Sequence, residues 1–174
     1  MITFDLKVVV ASQCQLFALP RIKEAVQITE GRIVGVESEL SPVSLNRSIR
    51  RNKANLLILT IDEKEVICPL ISAVKRAHPS IKIITIAQKL RQIPILIKTR
   101  MIKAILVANE DHHQLIQAIR KVARDQNYYS PKTINAMIQE IAMPNLTPRE
   151  KEVSSLLDRN KSRSEIAAFL EISQ

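Results

Sequence analysis

Residues 55–61 read NLLILTI and form the most apolar short run in a chain of 174 residues. A short, almost uninterrupted run of Leu and Ile is typical of a strand that is covered on both faces of a sheet. Similar runs predict further strands at residues 6–11 (LKVVVA), 32–37 (RIVGVE), 82–87 (KIITIA) and 103–108 (KAILVA). The centre of the fold is therefore predicted to be a five-stranded sheet.

Segments with apolar residues at helical spacing follow each of these strands. The predicted helices span residues 14–28, 43–52, 64–78, 90–100 and 111–125. Five successive βα units favour parallel pairing with right-handed crossovers. We therefore predict an α/β fold with a doubly wound, flavodoxin-like sheet of strand order 2-1-3-4-5, whose ligand site lies at the carboxyl ends of the strands. Beyond residue 125, QNYYSP predicts a turn and residues 131–142 an amphipathic helix.

The composition indicates a globular protein that prefers anionic partners. Apolar residues make up 46% of the chain, and 26 Lys and Arg against 17 Asp and Glu give a net charge of +9. This balance favours nucleic acid first, although an ordinary basic surface has the same composition. The sequence contains no recognisable signal peptide or membrane span, so the expected location is the cytoplasm.

Enzymatic and metal-binding patterns are missing from the sequence. Cys14 and Cys68 lack the spacing of a metal site or a disulfide framework. Gly31 and Gly35 are the only glycines, which excludes a glycine-rich nucleotide loop. His112 and His113 are neighbours on a predicted helix and point in different directions, so joint metal ligation is not expected. We predict no enzyme activity, no cofactor and no metal.

Residues 145–173, NLTPREKEVSSLLDRNKSRSEIAAFLEIS, contain two well-defined helix starts. Thr147 is a natural N-cap with Pro148 at the first helical position and Glu150 placed to complete a capping box. Ser162 caps the next helix, with Glu165 three residues later. This stretch resembles the opening of the LuxR-type helix-turn-helix in response regulators of the NarL/FixJ family. An ordinary well-capped helix is the alternative for LTPREKE.

The resemblance extends to residues 115–131, LIQAIRKVARDQNYYSP, which are similar to the last receiver helix of that family and the turn after it. It implies a receiver-like domain at residues 1–126, a linker with a helix at 127–144, and the start of an all-α helix-turn-helix domain at 145–174. The recognition helix would begin just after Ser173, so the motif is predicted to be truncated. Its supporting helices would contact the DNA backbone through Thr147, Arg149, Lys151, Lys161, Ser162 and Arg163.

A phosphorylatable receiver carries an acidic pair after strand one, an Asp at the end of strand three, a Thr or Ser after strand four and a Lys after strand five. Here the resemblance places neutral residues at all of these positions: Ser12, Gln13, Thr60, Ala87 and Ala108. Mg²⁺ prefers carboxylate oxygens, so the expected pocket is degenerate. It is predicted either to pack as core or to admit a neutral ligand.

Two neighbours of this pocket leave alternatives open. Asp62 is interpreted as the N-cap of the following helix, with Glu65 at N3, and the alternative is a displaced phosphoacceptor. Cys14 is a candidate for oxidation, although nothing beside it in the sequence clearly lowers its pKa. The cluster Arg47, Arg50, Arg51 and Lys53 is either a solvated face or a surface that binds a partner or the DNA backbone.

These features predict a phosphorylation-independent response regulator that forms a homodimer and binds DNA as a transcriptional regulator. The alternative is an interaction module that does not bind DNA and that dimerises with or modulates another regulator through its pseudo-receiver. Duplex DNA binding discriminates between the two hypotheses.

Overall fold

A computed structural model describes residues 5–12, 15–61 and 67–142 continuously, and positions 147, 150, 153 and 156 singly. Its centre is a six-stranded sheet with the order β2-β1-β3-β4-β5-β6. All of the neighbouring strands pair in parallel. The strands are β1 (Lys7–Ser12), β2 (Arg32–Glu37), β3 (Leu56–Ile61), β4 (Lys82–Ala87), β5 (Ala104–Val107) and β6 (Tyr128–Tyr129).

Helices connect the strands and cover both faces of the sheet. They are α1 (Gln15–Ile28), α2 (Pro42–Asn52), α3 (Ile67–Ala77), α4 (Ile93–Lys98), α5 (His112–Ala123) and α6 (Pro131–Ala142). Polar side chains cap the amino-terminal ends of two helices: Ser41 caps α2 and Asp111 caps α5. The predicted α/β architecture and the order 2-1-3-4-5 are confirmed.

Alternating strand residues face opposite sides of the sheet, as the pleat requires. Leu57 and Leu59 of β3 belong to a core beneath α2, α3 and α4. Leu56 and Ile58 belong to a second core beneath α1 and α5. All four side chains are fully buried. The run NLLILTI is apolar because both faces of its strand are covered.

Gly35 of β2 allows α2 to lie close to the sheet edge. A Cβ atom at this position would meet Ser48 Oγ at 2.7 Å and Asn52 Nδ2 at 3.1 Å. Any larger residue at position 35 would therefore push α2 away from β2.

The sixth strand replaces a segment that was predicted to be a turn. Tyr128 pairs with Ala104 and Tyr129 with Ile105 of β5. The Tyr128 N–H donates to Lys103 O at 2.8 Å, and the Ser130 N–H donates to Ile105 O at 3.2 Å. The open edge of β5 supplies these bonds, and β6 in turn covers that edge.

The predicted helix at residues 90–100 is shorter in the structure. Leu90–Gln92 form a 3₁₀ turn, and α4 begins at Ile93 with Pro94 in its first turn. Proline lacks an N–H and fits a helix start, which explains why α4 begins there. The connection to β5 passes through Arg100, whose φ of 53° lies in the left-handed region.

Backbone contacts divide the chain into two compact units, Met1–Met137 and Ile138–Gln174. In the second unit, the described positions include the predicted capping box. The Thr147 N–H donates to Glu150 Oε2 at 2.6 Å, and the Glu150 N–H donates to Thr147 Oγ1 at 3.3 Å. Leu156 is buried and packs with Val153. No helix in the described parts of the chain is both long and apolar enough to span a bilayer.

Candidate functional site

The carboxyl edge of the sheet carries four of the predicted pocket residues. Ser12 ends β1 and lies opposite Thr60 of β3 in the parallel register. Ala87 ends β4, and its carbonyl oxygen accepts the N–H of Ala108 at 2.9 Å. The structure therefore places these four residues along one edge. The other predicted pocket residues, Gln13, Cys14 and Asp62, lie outside the described residues.

The two hydroxyl groups at this edge are buried. Ser12 is 1% exposed and Thr60 is 2% exposed. Neither Ser12 Oγ nor Thr60 Oγ1 has a hydrogen-bond partner among the described residues. An unsatisfied buried hydroxyl destabilises a fold by about 1–3 kcal/mol relative to a satisfied one. Among the described residues, the edge therefore has two buried polar groups without a hydrogen-bond partner.

These residues do not fit the magnesium ion that phosphoryl transfer in receivers requires. Mg²⁺ is bound through carboxylates, phosphates and water. Ser12, Thr60, Ala87 and Ala108 offer no anionic oxygen. Within the described part of the chain, no three His, Cys, Asp or Glu residues lie together in a way that could hold a metal ion.

An arginine from α1 holds the segment that follows β5. The Arg21 guanidinium donates to the carbonyl oxygens of Ala108 at 3.0 Å and Glu110 at 2.6 Å. A guanidinium stays charged and only donates hydrogen bonds, so it cannot accept a phosphoryl group or serve as a base. Sequence reasoning missed this contact because both acceptors are backbone atoms, 87 and 89 residues away.

Glu110 is a buried carboxylate that joins the end of β5 to the start of α6. It is 8% exposed. Its Oε2 accepts the Val107 N–H at 2.8 Å, and its Oε1 accepts the Lys132 N–H at 3.1 Å. Charge-assisted bonds of this kind are stronger than bonds between neutral groups. The Glu110 carboxylate is thus committed to backbone donors.

Two buried hydroxyls fix the first turn of α6 beside Glu110. Thr133 Oγ1 donates to Ile105 O at 3.0 Å and lies 2.8 Å from Ser130 Oγ. The Tyr128 hydroxyl donates to Gln114 Oε1 of α5. Burial, followed by the negative charge of Glu110, raises the pKa of Tyr128. Tyr128 therefore stays protonated at neutral pH.

The two adjacent histidines have different neighbours. His112 Nδ1 lies 3.8 Å from Glu24 Oε2, whereas His113 Nε2 lies 3.1 Å from Gln117 Nε2. The basic cluster of α2 faces solvent, and Lys53 ends that helix with a φ of 50°. Arg47, Arg50 and Arg51 have no ion pair with any described acidic residue.

Of the six residues predicted to support DNA binding, Thr147 is described and is exposed. The Thr147 N–H, and then its hydroxyl, lower the pKa of Glu150, so the capping carboxylate is ionised at neutral pH. Arg149, Lys151, Lys161, Ser162 and Arg163 lie outside the described residues.

The parallel order β2-β1-β3-β4-β5, with helices on both faces, is the flavodoxin-like arrangement that receiver domains share with other doubly wound proteins. The isolated receiver domain of RcsB from Salmonella enterica serovar Typhimurium, solved with the phosphomimetic BeF₃⁻, superposes with a TM-score of 0.65 at 17% identity. The match covers 76% of this chain and 98% of that domain. The fold of this chain is therefore that of a response-regulator receiver.

Longer RcsB structures match nearly the whole chain. The Salmonella typhimurium RcsB response regulator has a TM-score of 0.69 at 20% identity, over 98% of this chain and 86% of RcsB. RcsB from Salmonella enterica serovar Typhimurium bound to promoter P1flhDC has a TM-score of 0.67 at 19% identity, over 97% of this chain and 84% of that one. At these identities the likeness shows the fold. No family model matches the sequence, and no curated protein is significantly similar to it.

Proposed function

We propose that this protein is an atypical response regulator of the NarL/FixJ type, which binds DNA as a homodimer in the cytoplasm and works without phosphorylation of its receiver. The observation that carries this proposal is the buried pair of neutral hydroxyls, Ser12 and Thr60, at the edge where a receiver accepts its phosphoryl group. The surplus of basic residues supports an anionic partner.

Loss of the switch follows from the chemistry of the edge. An acyl phosphate needs a carboxylate nucleophile, and its formation needs a metal ion to offset charge on the transferring group. Ala108 provides no ammonium group, and Arg21 is engaged with two carbonyl oxygens. This pseudo-receiver therefore transmits information through binding rather than through phosphoryl chemistry.

The DNA-binding part of the proposal is supported by the Thr147–Glu150 capping box at the start of the predicted helix-turn-helix. The RcsB structures that match 97% of this chain include one bound to promoter P1flhDC. Another contains two RcsB dimers on two parallel DNAs. These matches support DNA and a second copy of the chain as partners.

Phosphorylation independence is tested with the full chain incubated with acetyl phosphate and Mg²⁺, then with BeF₃⁻ and Mg²⁺. We expect no phosphoryl adduct by intact-protein mass spectrometry and no BeF₃⁻-dependent shift of the Thr60 amide in NMR spectra. A stoichiometric adduct, or a saturable shift at Thr60, would contradict the proposal.

DNA binding is tested with the gene's full reading frame and fluorescently labelled duplex DNA. We expect anisotropy to rise on binding and the affinity to fall steeply as salt rises, because phosphate contacts release counterions. Light scattering should give a dimer. Absence of duplex binding at low salt, with a folded dimer, would favour the interaction module instead.

A further inference from the structure

At the opposite, amino-terminal edge of the sheet, a cavity of about 570 Å³ opens beside β5 and β6. It lies between α4, the α4–β5 connection and β6, with the end of α3 at one side. Every residue that lines it belongs to the unit Met1–Met137. Its volume falls within the range of about 300–1,000 Å³ that small-molecule sites occupy.

The wall of the cavity combines apolar and polar surface in nearly equal parts. Leu96 and Ile97 of α4, Ile102 before β5 and Tyr129 of β6 line it. Leu96 and Ile102 are buried, whereas Ile97 and Tyr129 are partly accessible. A hydrocarbon or aromatic body would gain contacts here, since burial of apolar surface is favourable by roughly 25 cal/mol per Å².

Three cationic side chains border the same cavity: Lys75, Arg100 and Lys103. Lys103 Nζ lies 3.2 Å from Asp125 Oδ1. Lys75 Nζ donates to Ile81 O and Pro79 O, so one of its three protons has no acceptor among the described residues. Arg100 is exposed and has no ion pair among the described residues. The positive charge at the cavity therefore exceeds the negative charge that pairs with it.

The electrostatics of Lys75 agree with this imbalance. Burial lowers the pKa of Lys75, and the charge of Lys103 lowers it further, against the opposing effect of Asp125. A bound anion would offset the repulsion between these two ammonium groups.

We propose that this cavity binds a small amphipathic anion, in which a phosphate or carboxylate group is attached to an apolar body. The anionic group lies between Arg100, Lys103 and Lys75, and the body packs against α4 and Tyr129. The site is separate from the carboxyl edge, and a ligand here would supply an input that needs no phosphoryl transfer.

The experiment uses the full chain labelled with ¹⁵N and four probes: phenyl phosphate, benzoate, benzyl alcohol and inorganic phosphate. We expect phenyl phosphate or benzoate to shift the amides of Ile97, Lys103 and Tyr129. Loss of either the charge or the ring should weaken binding roughly tenfold or more, equivalent to one 1.4 kcal/mol step. Tighter binding of phenyl phosphate would assign a phosphate group, and tighter binding of benzoate a carboxylate.

Two matched variants test the role of charge. Arg100 and Lys53 both have a left-handed φ, of 53° and 50°. Glycine adopts this conformation without strain, so Arg100→Gly and Lys53→Gly should both fold and each removes one cation. We expect Arg100→Gly to weaken anion binding about fivefold or more and Lys53→Gly to leave it unchanged. Equal binding by both variants, or benzyl alcohol binding as tightly as phenyl phosphate, would overturn the proposal.

Discussion

The two edges of the sheet differ in the side chains that they place beside the strand ends. At the carboxyl edge, Ser12 and Thr60 are neutral and almost completely buried, and Ala87 is fully buried. At the amino edge, exposed or partly exposed charges pair with one another. The ion pairs there are Lys7–Asp5 at 3.2 Å, Arg32–Asp5 at 3.1 Å and Lys103–Asp125 at 3.2 Å.

Solvent explains why the two edges differ. Exposed ion pairs contribute little to stability, and their desolvation penalty is also small because water solvates each partner. An isolated buried charge destabilises the folded state severely unless a counter-charge or metal accompanies it. Once a receiver pocket is closed and lacks its metal and its lysine, neutral side chains are the stable choice. Ser12 and Thr60 are consistent with that rule, whereas the buried carboxylate of Glu110 is satisfied by the Val107 and Lys132 N–H groups.

The largest effect on stability is expected when a carboxylate is introduced at position 60 of the carboxyl edge. Thr60→Asp should lower the free energy of unfolding by about 3 kcal/mol or more at pH 7, since the charge would be buried without a counter-charge among the described residues. Burial raises the pKa of such a carboxyl in the folded state. The loss should therefore be smallest below pH of about 4 and should grow as the pH rises. Urea denaturation at several pH values measures it.

Thr60→Asn is the matched control, because an Asn side chain has nearly the same shape as an Asp side chain and carries no charge. Its loss of stability should be independent of pH between 4 and 8. If Thr60→Asp were as stable as Thr60→Asn at pH 7, or gained stability on addition of Mg²⁺, the carboxyl edge would be open and competent for metal.

The next largest effect is expected at Glu110, a buried carboxylate of the carboxyl edge. Glu110→Ala removes the acceptor of the Val107 and Lys132 N–H groups. We expect a loss of about 2–3 kcal/mol, because donors to a charged group are left unpaired. Glu110→Gln keeps one carbonyl oxygen and should lose about half as much. Hydrogen exchange should accelerate at the Lys132 amide in both variants. Unchanged exchange there would contradict the proposed link to α6.

A smaller effect on stability is expected to distinguish two buried threonines, Thr133 and Thr60. Thr133→Val removes a hydroxyl that donates to Ile105 O at 3.0 Å, so we expect a loss of about 1–2 kcal/mol. Thr60→Val removes a hydroxyl without a partner among the described residues, so the change should be neutral or stabilising by up to about 1 kcal/mol. Thermal unfolding compares the pair. Equal losses would mean that Thr60 Oγ1 is hydrogen-bonded in solution.

The strands were predictable because burial on both faces leaves a direct trace in the sequence. The run at β3 and the run KIITIA at β4 are almost uninterrupted apolar runs, and the latter matches Lys82–Ala87 residue for residue. Tyr128–Tyr129 left no such trace, since two residues have no periodicity and the edge of β5 supplies the pairing. The positions of Ser12 and Thr60 in β1 and β3 were predictable from the same runs. The roles of Arg21 and Glu110 were not, because both bind backbone atoms that only the fold brings near.

The smallest effect is expected at the amino edge, where it concerns the pKa of Asp125. Lys103 holds the pKa of Asp125 below its ordinary value, first through a hydrogen bond and then through its charge. A lowered pKa contributes stability above the ordinary aspartate pKa, and this contribution is lost as the pH falls through the lowered value. Lys103→Met should therefore raise the pKa of Asp125 toward the ordinary aspartate range.

Asp5 serves as an internal reference in the same NMR titration. A hydrogen bond from Lys7 lowers its pKa, and Lys103 is not among the groups that act on it. We expect Lys103→Met to shift the carboxyl titration of Asp125 and to leave that of Asp5 unchanged. In the unsubstituted chain, high salt should bring the lowered pKa values of Asp5 and Asp125 closer to the ordinary aspartate range, because exposed pairs are screened. If the titration of Asp125 did not move, Lys103 would be free to face the cavity alone. The cavity would then carry more unpaired positive charge than the Lys103–Asp125 pair leaves it.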